Sequence, residues 1–319
     1  MNEFEIIDHY FKDLTVGDAA VICGIGDDAA ILYPPAGLEL AVTVDTLVSG
    51  VHFFPDTDPV ALGFKSLAVN LSDLAAMGAT PAWATLSLTL PQHDAGWLTG
   101  FAAGFAELAK RYSVCLAGGD LTSGPLSITV QAMGTCEPGA ALKRSGAGVG
   151  DDIYISGYPG EAGYALHALK GAMDENHHDG GHCLERLLKP SPRVDLGLMI
   201  RGTASAAVDV SDSLAADLGH ILAASDAGAV IELDLIPLRP PLSGIDNRDR
   251  TAELVLSSGD DYELCFTVPA DRHRQIEEMT RSLDFPVTRI GRIVEGTGIK
   301  FLWGDGSEFV LQDSGYKHF

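Results

Sequence analysis

The sequence predicts a mixed α/β fold built as two domains. Apolar runs of strand length alternate with longer stretches of helical period, the rhythm of an α/β chain. Short aspartate-bearing segments close several of these runs, and strand ends are where such proteins place ligand chemistry. The 319 residues exceed the usual span of one core, and 46% apolar content is enough for two.

Phe4 to Leu14 reads as a short amphipathic helix, and Leu40 to Val44 as a buried strand ending at Asp45. Asp58-Pro59 is a helix start, an N-cap followed by proline in the first turn. That helix runs to Met77, and Gly78 is its C′ stop. Ala82 to Leu90 reads as a strand, Gln92 to Tyr112 as a helix, and Val114 to Ala117 and Leu126 to Met133 as further strands. The boundary is placed near Glu137-Pro138-Gly139, giving domains 1–137 and 138–319.

In the second half, Asp152 to Ser156 reads as a strand, Glu161 to Lys170 as a helix, and Asp174 to His182 as a mobile loop. Pro190-Ser-Pro192 opens a helix through about Arg201, Ala206 to Val210 is a strand, and Asp212 to Ser225 is a helix. Leu214, Leu218, Ile221 and Leu222 form the apolar side of that helix, with Ser213, Asp217 and His220 elsewhere. Strands at Tyr262–Val268, Val287–Ile293 and Ile299–Leu302, with a helix at Asp271 to Leu283, close the domain.

The charge bounds the partners. With 21 Lys and Arg against 44 Asp and Glu, the net charge is −23, which argues against nucleic acid and anionic membranes. A nucleotide remains compatible, provided metal ions carry the positive charge. The acidic start Met1-Asn-Glu-Phe-Glu lacks a signal-peptide n-region, and no apolar run reaches membrane-spanning length. Cys23, Cys115, Cys136, Cys183 and Cys265 are odd in number and widely spaced, as expected of reduced thiols in a cytoplasmic protein.

The aspartate segments carry the chemistry. Gly24-Ile-Gly-Asp-Asp28, Val42-Thr-Val-Asp45, Asn70-Leu-Ser-Asp73, Gly118-Gly-Asp120 and Asp209-Val-Ser-Asp212 recur along the chain. Gathered carboxylates repel unless a hard cation sits among them, and magnesium is usually shared with substrate phosphates. Gly24 to Ala29 matches a dinucleotide fingerprint, but Ile31-Leu-Tyr-Pro-Pro is not a helix; alone the motif would read as a glycine turn, and the other aspartate segments raise metal ligation above that. Asp73 lies one helical turn beyond Asn70, which lies one turn beyond Ser66. A stripe facing water usually carries Lys and Glu; these short side chains favour ligation. Asp209 and Asp212 straddle a strand-to-helix junction whose N-terminus can also face a phosphate. Gly150-Asp151-Asp152 reads as a turn, and Gly259-Asp-Asp261 as a turn or a carboxylate brought to a substrate. His177, His178 and His182 suggest a metal tract, against which surface exposure in a polar loop is favoured. Lys65 and Arg144 are the basic residues near the candidate site, and the Arg144 guanidinium would suit a nucleotide phosphate. No P-loop, protein-kinase catalytic loop or nucleophile elbow occurs.

Taken in order, these segments, with His52-Phe53, Arg144-Ser-Gly, Asp260-Asp-Tyr-Glu-Leu264 and Gly315-Tyr316, resemble the thiamine-monophosphate kinases of the aminoimidazole-ribotide-synthetase-like superfamily. The resemblance implies a two-domain fold whose N-terminal sheet pairs across a homodimer. It implies an ATP-dependent kinase making thiamine diphosphate from thiamine monophosphate with several magnesium ions; a monovalent cation is a further candidate. By position, Asp28, Thr43, Asp45, Asp73, Asp120, Asp209 and Asp212 correspond to metal ligands. Gly119, Asp120, Arg144 and Ser211 correspond to ATP contacts, and His52, Asp260 and Tyr316 to substrate contacts. Val44, Ser213 and Asp260 depart from the family's usual hydroxyl residue, Gly and Glu.

No general base is expected, because the nucleophile would be the substrate's own phosphate, whose second pKa of about 6 leaves it largely dianionic at neutral pH. The alternatives are another ATP-dependent member of the superfamily, or a non-catalytic divalent-metal-binding protein. A carbamoyl-dehydrating member would need a C-terminal cysteine, where this chain ends Tyr-Lys-His-Phe. A selenium-transfer member would need a reactive N-terminal cysteine near a lysine, and Cys23 lies between Ile22 and Gly24.

Overall fold

The computed structural model describes residues 1–15, 20–171, 180–312 and 315. They form two compact units, one of residues 1–74 and 79–139, the other of residues 75–78 and 140–319.

The first unit begins with helix α1 (Glu3–Tyr10), capped by Asn2 and Glu5 in a reciprocal capping box. It ends before the expected Leu14. The short strands β1 (Val21–Cys23) and β2 (Ile31–Leu32) pair antiparallel around the Gly24–Asp28 turn. Then come β3 (Glu39–Val48), α2 (Pro59–Ala76), β4 (Thr80–Leu90), α3 (Ala95–Arg111), β5 (Cys115–Ser123) and β6 (Ser127–Cys136). The sheet order is β3-β6-β4-β5, antiparallel except for the β4–β5 pair.

Two strands are longer than expected. β3 passes through Asp45 to Val48, because all ten of its residues pair with β6. β5 continues through Gly118-Gly119-Asp120, where glycine is required: a Cβ on Gly119 would lie 1.9 Å from the Leu86 carbonyl oxygen. Helices α2 and α3 meet backbone to backbone. A Cβ on Gly104 would lie 1.8 Å from the Val60 carbonyl, so small residues set the close crossing. Leu67, Leu71 and Leu74 of α2 and Phe101, Phe105 and Leu108 of α3 are fully buried.

The second unit contains β7 (Asp152–Ser156), α4 (Glu161–Leu169), α5 (Gly181–Leu188), α6 (Val194–Ile200), β8 (Ala206–Asp209), α7 (Leu214–Ser225), β9 (Gly228–Glu232), α8 (Arg248–Ser257), β10 (Leu264–Val268), α9 (His273–Thr280), β11 (Val287–Val294), β12 (Gly298–Leu302) and β13 (Glu308–Phe309). The seven strands order as β13-β12-β9-β11-β7-β10-β8, with only β12–β9 parallel. Their core includes Ile153, Ile155, Val208, Ile231 and Ile290, with Leu214, Leu218, Ile221 and Leu222 of α7. Of the expected mobile loop, residues 174–179 lie outside the described residues, while His182 belongs to α5. Among the described residues no helix is long and apolar enough to cross a membrane.

Candidate active site

Strand alternation builds the first cluster. Along β3, Thr43 and Asp45 are half-buried, while Leu40, Val42 and Val44 on the opposite face are 47%, 52% and 59% exposed. Val44 therefore points away from the candidate ligands, and its departure from a hydroxyl residue leaves their side chains untouched. The Thr43 hydroxyl donates a short hydrogen bond to Asp73 of α2. Burial, reinforced by the charge of Asp73 and a hydrogen bond to it, pushes the Asp45 carboxyl up to about 7. Two carboxyl groups in contact must share a proton or a cation. The donors are all oxygens, the set that suits a hard divalent ion.

The stripe leading to Asp73 is interior. Ser66 and Asn70 are buried; Ser66 Oγ donates to the Gly63 carbonyl at 2.9 Å and Asn70 Nδ2 to the Ser66 carbonyl at 3.1 Å. Asn70 Oδ1 is buried without a hydrogen-bond partner. Lys65 on the same helix is also buried. His52, half-buried beyond β3, accepts the Val48 N–H on Nδ1 at 2.9 Å, so a neutral ring carries its proton on Nε2.

A second grouping in the same unit surrounds a cavity of about 360 Å³ lined by Asp27, Asp28, Gly119 and Asp120, with Phe4, Ile7 and Phe11 at and beyond α1 forming part of its wall. Asp28 and Asp120 are exposed. Asp45 and Asp73 are not among the residues that line it.

In the second unit, Asp209 closes β8 and is buried, while Ser211 and Asp212 are half-buried in the turn into α7. This helix start differs from expectation. Asp217 is buried, and its Oδ2 accepts the N–H groups of Ser211, Asp212 and Ser213 at 3.0, 3.1 and 3.1 Å. Burial pushes its carboxyl up to about 6, against the lowering effect of these N–H donors. These three N–H groups, which precede the first turn of α7, are thus satisfied by the chain itself. Ser213, where the family has Gly, is extended and caps Ala216 N–H at 3.0 Å. Arg144 is exposed, and its loop is pinned by Ser225, whose hydroxyl accepts the Gly146 and Ala147 N–H groups at 3.2 Å and donates to the Arg144 carbonyl at 3.3 Å.

Asp260 sits on a strained loop beside that turn. Asp260 and Tyr262 have φ of +66° and +50°, a region costing non-glycine residues about 1–3 kcal/mol each. For this reason β10 begins at Leu264, not Tyr262. The Asp260 and Tyr262 N–H groups donate to the Ser211 and Val210 carbonyls at 2.8 Å, and the Tyr262 hydroxyl donates to Asp260 at 3.1 Å.

Two buried carboxyl groups hold the loop from behind. Asp261 accepts the Gly160 N–H at 2.7 Å, capping α4 from a distant part of the chain, and burial pushes it up to about 8. Glu263 lies between Arg186, at 2.7 Å, and Arg193, at 2.5 Å. Burial opposes its ionisation, but the two guanidinium groups outweigh burial and hold its carboxyl below the usual range. Sequence reasoning missed Asp217, Ser225 and Glu263 as builders of the site, and left Asp261 as a turn or a carboxylate brought to a substrate. A signal existed for Asp217 alone, four residues after Ser213 in a helix start. His177, His178 and Tyr316 lie outside the described residues.

Residues 26–136 match the family described as AIR synthase related protein, N-terminal domain, and residues 148–304 its C-terminal domain. The chain is 44% identical to thiamine-monophosphate kinase from Escherichia coli, over 99% of this chain and 98% of that one. It is 34% identical to the Bacillus subtilis enzyme over the full length of both. The crystal structure of thiamine-monophosphate kinase from Stenotrophomonas maltophilia superposes with a TM-score of 0.87 at 47% identity, covering 94% of this chain and 96% of that one. A structure of AaThiL complexed with AMPPCP and TMP gives 0.77 at 31%, covering 99% and 97%. Escherichia coli HypE, a hydrogenase maturation protein, also gives 0.77, but at 18% identity that likeness speaks only for the fold. The chain belongs to the AIR synthase related proteins and, within them, to the thiamine-monophosphate kinase family.

Proposed function

We propose that this protein phosphorylates thiamine monophosphate to thiamine diphosphate by direct, in-line transfer of the γ-phosphoryl group of ATP. The observation that carries the reading is the end-to-end match to thiamine-monophosphate kinases at 44% identity. The AaThiL complex supports both substrates, since AMPPCP is a non-hydrolysable analogue of ATP. The residues agree: the site is rich in oxygen donors.

Magnesium, held by Asp45 and Asp73 with Thr43, and by Asp28, Asp120, Asp209 and Asp212, would neutralise the charge that two phosphate groups bring together. Thr43 fixes the orientation of Asp73 through its hydroxyl. Asp45, near neutrality in its titration, can give up its proton when a cation arrives. Arg144, on a loop fixed by Ser225, and Ser211 with Gly119 are assigned to ATP. His52, through Nε2–H, and Tyr316 are assigned to thiamine monophosphate, and Asp260 to its cationic thiazolium. A monovalent cation is a further candidate. Residues 1–137 are assigned metal and ATP binding together with dimerisation, and 138–319 completion of the substrate site; the protein is assigned to the cytoplasm.

The homodimer is assigned to β3. Strands β4 and β6 are each paired on both sides, so they cannot add a further strand. The edge strand β3, with Leu40, Val42 and Val44 exposed, is the better candidate.

Purified protein with magnesium, ATP and thiamine monophosphate should form thiamine diphosphate and ADP in equal amounts. ADP without thiamine diphosphate would point to another ATP-dependent member of the superfamily. Replacing Asp260 by Ala should raise KM for thiamine monophosphate more than for ATP; equal effects would reduce Asp260 to support of its turn.

A further inference from the structure

Three side chains of different chemistry converge in the second unit, with none of the assigned aspartates among them. Glu161 is the first residue of α4; His182 and Cys183 lie in the first turn of α5. Their ligand atoms all lie within 4.8 Å of one another, and among the described residues no other trio of His, Cys, Asp and Glu side chains does so. His182 Nε2 is 3.1 Å from Glu161 Oε1, and Cys183 Sγ is 3.5 Å from His182 Nε2.

We propose that Glu161, His182 and Cys183 form a site for a zinc-class transition-metal ion, with the fourth position open to water. The donor set is one sulfur, one nitrogen and one oxygen, which selects a borderline-soft ion and disfavours magnesium. With bonds of about 2.0–2.3 Å, tetrahedral zinc sets donor–donor edges at about 3.3–3.6 Å; the two separations from His182 are 3.1 and 3.5 Å, and the third, Cys183 to Glu161, is within 4.8 Å. Access is one-sided: the Cys183 residue and the Glu161 side chain are 0% and 4% exposed, while the His182 ring at the rim is 31% exposed.

Arg239 is the competing cation. Its Nε donates to Glu161 Oε1 and its Nη2 to Oε2 at 3.0 Å, with its guanidinium over the Tyr158 ring. On metal binding the Nη2 bond to Oε2 would remain as the outer hydrogen bond that commonly orients a ligating carboxylate, and Oε1 would exchange its bond from Arg239 Nε for the ion. On binding, the Cys183 thiol gives its proton to solvent, and thiolate and carboxylate together balance the two charges of the ion. The ion would join the first turns of α4 and α5. Asp261 caps that same α4 turn, so the site braces the segment behind Asp260.

Cobalt(II) titration of the full chain, stripped with chelator and then held in excess magnesium, tests the proposal. One equivalent should give a thiolate-to-cobalt charge-transfer band in the near ultraviolet, displaced by zinc. Cys183→Ser and His182→Ala should each lose the band while keeping thiamine diphosphate formation with magnesium. Zinc should raise the Tm of the parent protein and leave that of Cys183→Ser unchanged. Absence of the band, or its survival in Cys183→Ser, would overturn the site and mark the cluster as an ion pair of Glu161 with Arg239. Because product formation is measured separately, failure here is distinguishable from failure of the kinase reading.

Discussion

The Thr43 hydroxyl donates to the Asp73 carboxylate, joining an edge strand to the helix that packs beside it. Asp45, two residues along the same strand face, meets the same carboxylate. Replacing Asp45 or Asp73 by Asn keeps size and most hydrogen bonding but removes charge that would hold magnesium. Turnover should fall about 10²-fold or more at saturating magnesium. Thermal stability without magnesium should hold level or rise, because like charges are relieved. Near-normal kcat in either variant would remove that aspartate from the proposed metal set.

Glu263 and Asp261 should respond oppositely to loss of charge. Glu263 is ionised between two arginines, so Glu263→Gln leaves buried guanidinium groups uncompensated and should cost about 3–5 kcal/mol. Asp261, pushed up to about 8 by burial, must take up a proton on folding at neutral pH, a cost that Asn does not carry, so the stability of Asp261→Asn relative to the parent should rise with pH. Its folded pKa, about 8, stands above the ordinary value. The stability it contributes is therefore fully present below the unfolded pKa and lost as pH rises through about 8. Unfolding curves from pH 6 to 9 should show the parent losing stability relative to Asp261→Asn. Parallel curves would mean that Asp261 is ionised throughout.

Asp217→Ala removes one acceptor and strands three N–H groups at the start of α7. The variant should lose at least about 2 kcal/mol in denaturant unfolding, since buried donors without partners cost about 1–3 kcal/mol. Asp217→Asn should lose less. If these N–H groups served a nucleotide phosphate instead, the main effect would be on KM for ATP with stability preserved.

Val42→Glu with Val44→Glu should turn the proposed dimer into a monomer, read by light scattering at micromolar concentration. Both side chains point away from Asp45 and Asp73, so the variant should stay folded. A parent protein that is already monomeric and fully active would dismiss the dimer.

Legibility in the sequence followed the locality of the cause. Helix α2 was readable because Asp58, Pro59 and Gly78 punctuate it, and β7 because a short apolar run leaves the Gly150-Asp151 turn. The extension of β3 past Asp45 was not readable, because the partner row on β6 sets it and an aspartate within a strand looks like a terminus. Helix α8 was missed because its polar surface hides the apolar period, while Asn247 caps it. At the site, the candidate ligand types were visible as short aspartate motifs. Their contacts were not, since strand pairing and helix packing decide that Asp45 meets Asp73 and that Asp28 and Asp120 line one cavity. In sequence Asp217 looks like an ordinary surface acid, and Asp261 and Glu263 stand in the Asp260-Asp-Tyr-Glu-Leu264 motif with no buried role legible. Only their burial against N–H groups and arginines gives them roles.

β3 carries oxygen ligands on one side and exposed aliphatic residues on the other, with nothing but the two-residue repeat of an extended chain keeping them apart. Insertion or deletion of a single residue ahead of Thr43 would exchange the two sides at once. Val42 and Val44 would turn toward Asp73, and a carboxylate would turn onto the apolar surface. A change of one residue in the length of this strand would therefore disturb the ligand side and the aliphatic side together, whereas a substitution touches only one of them.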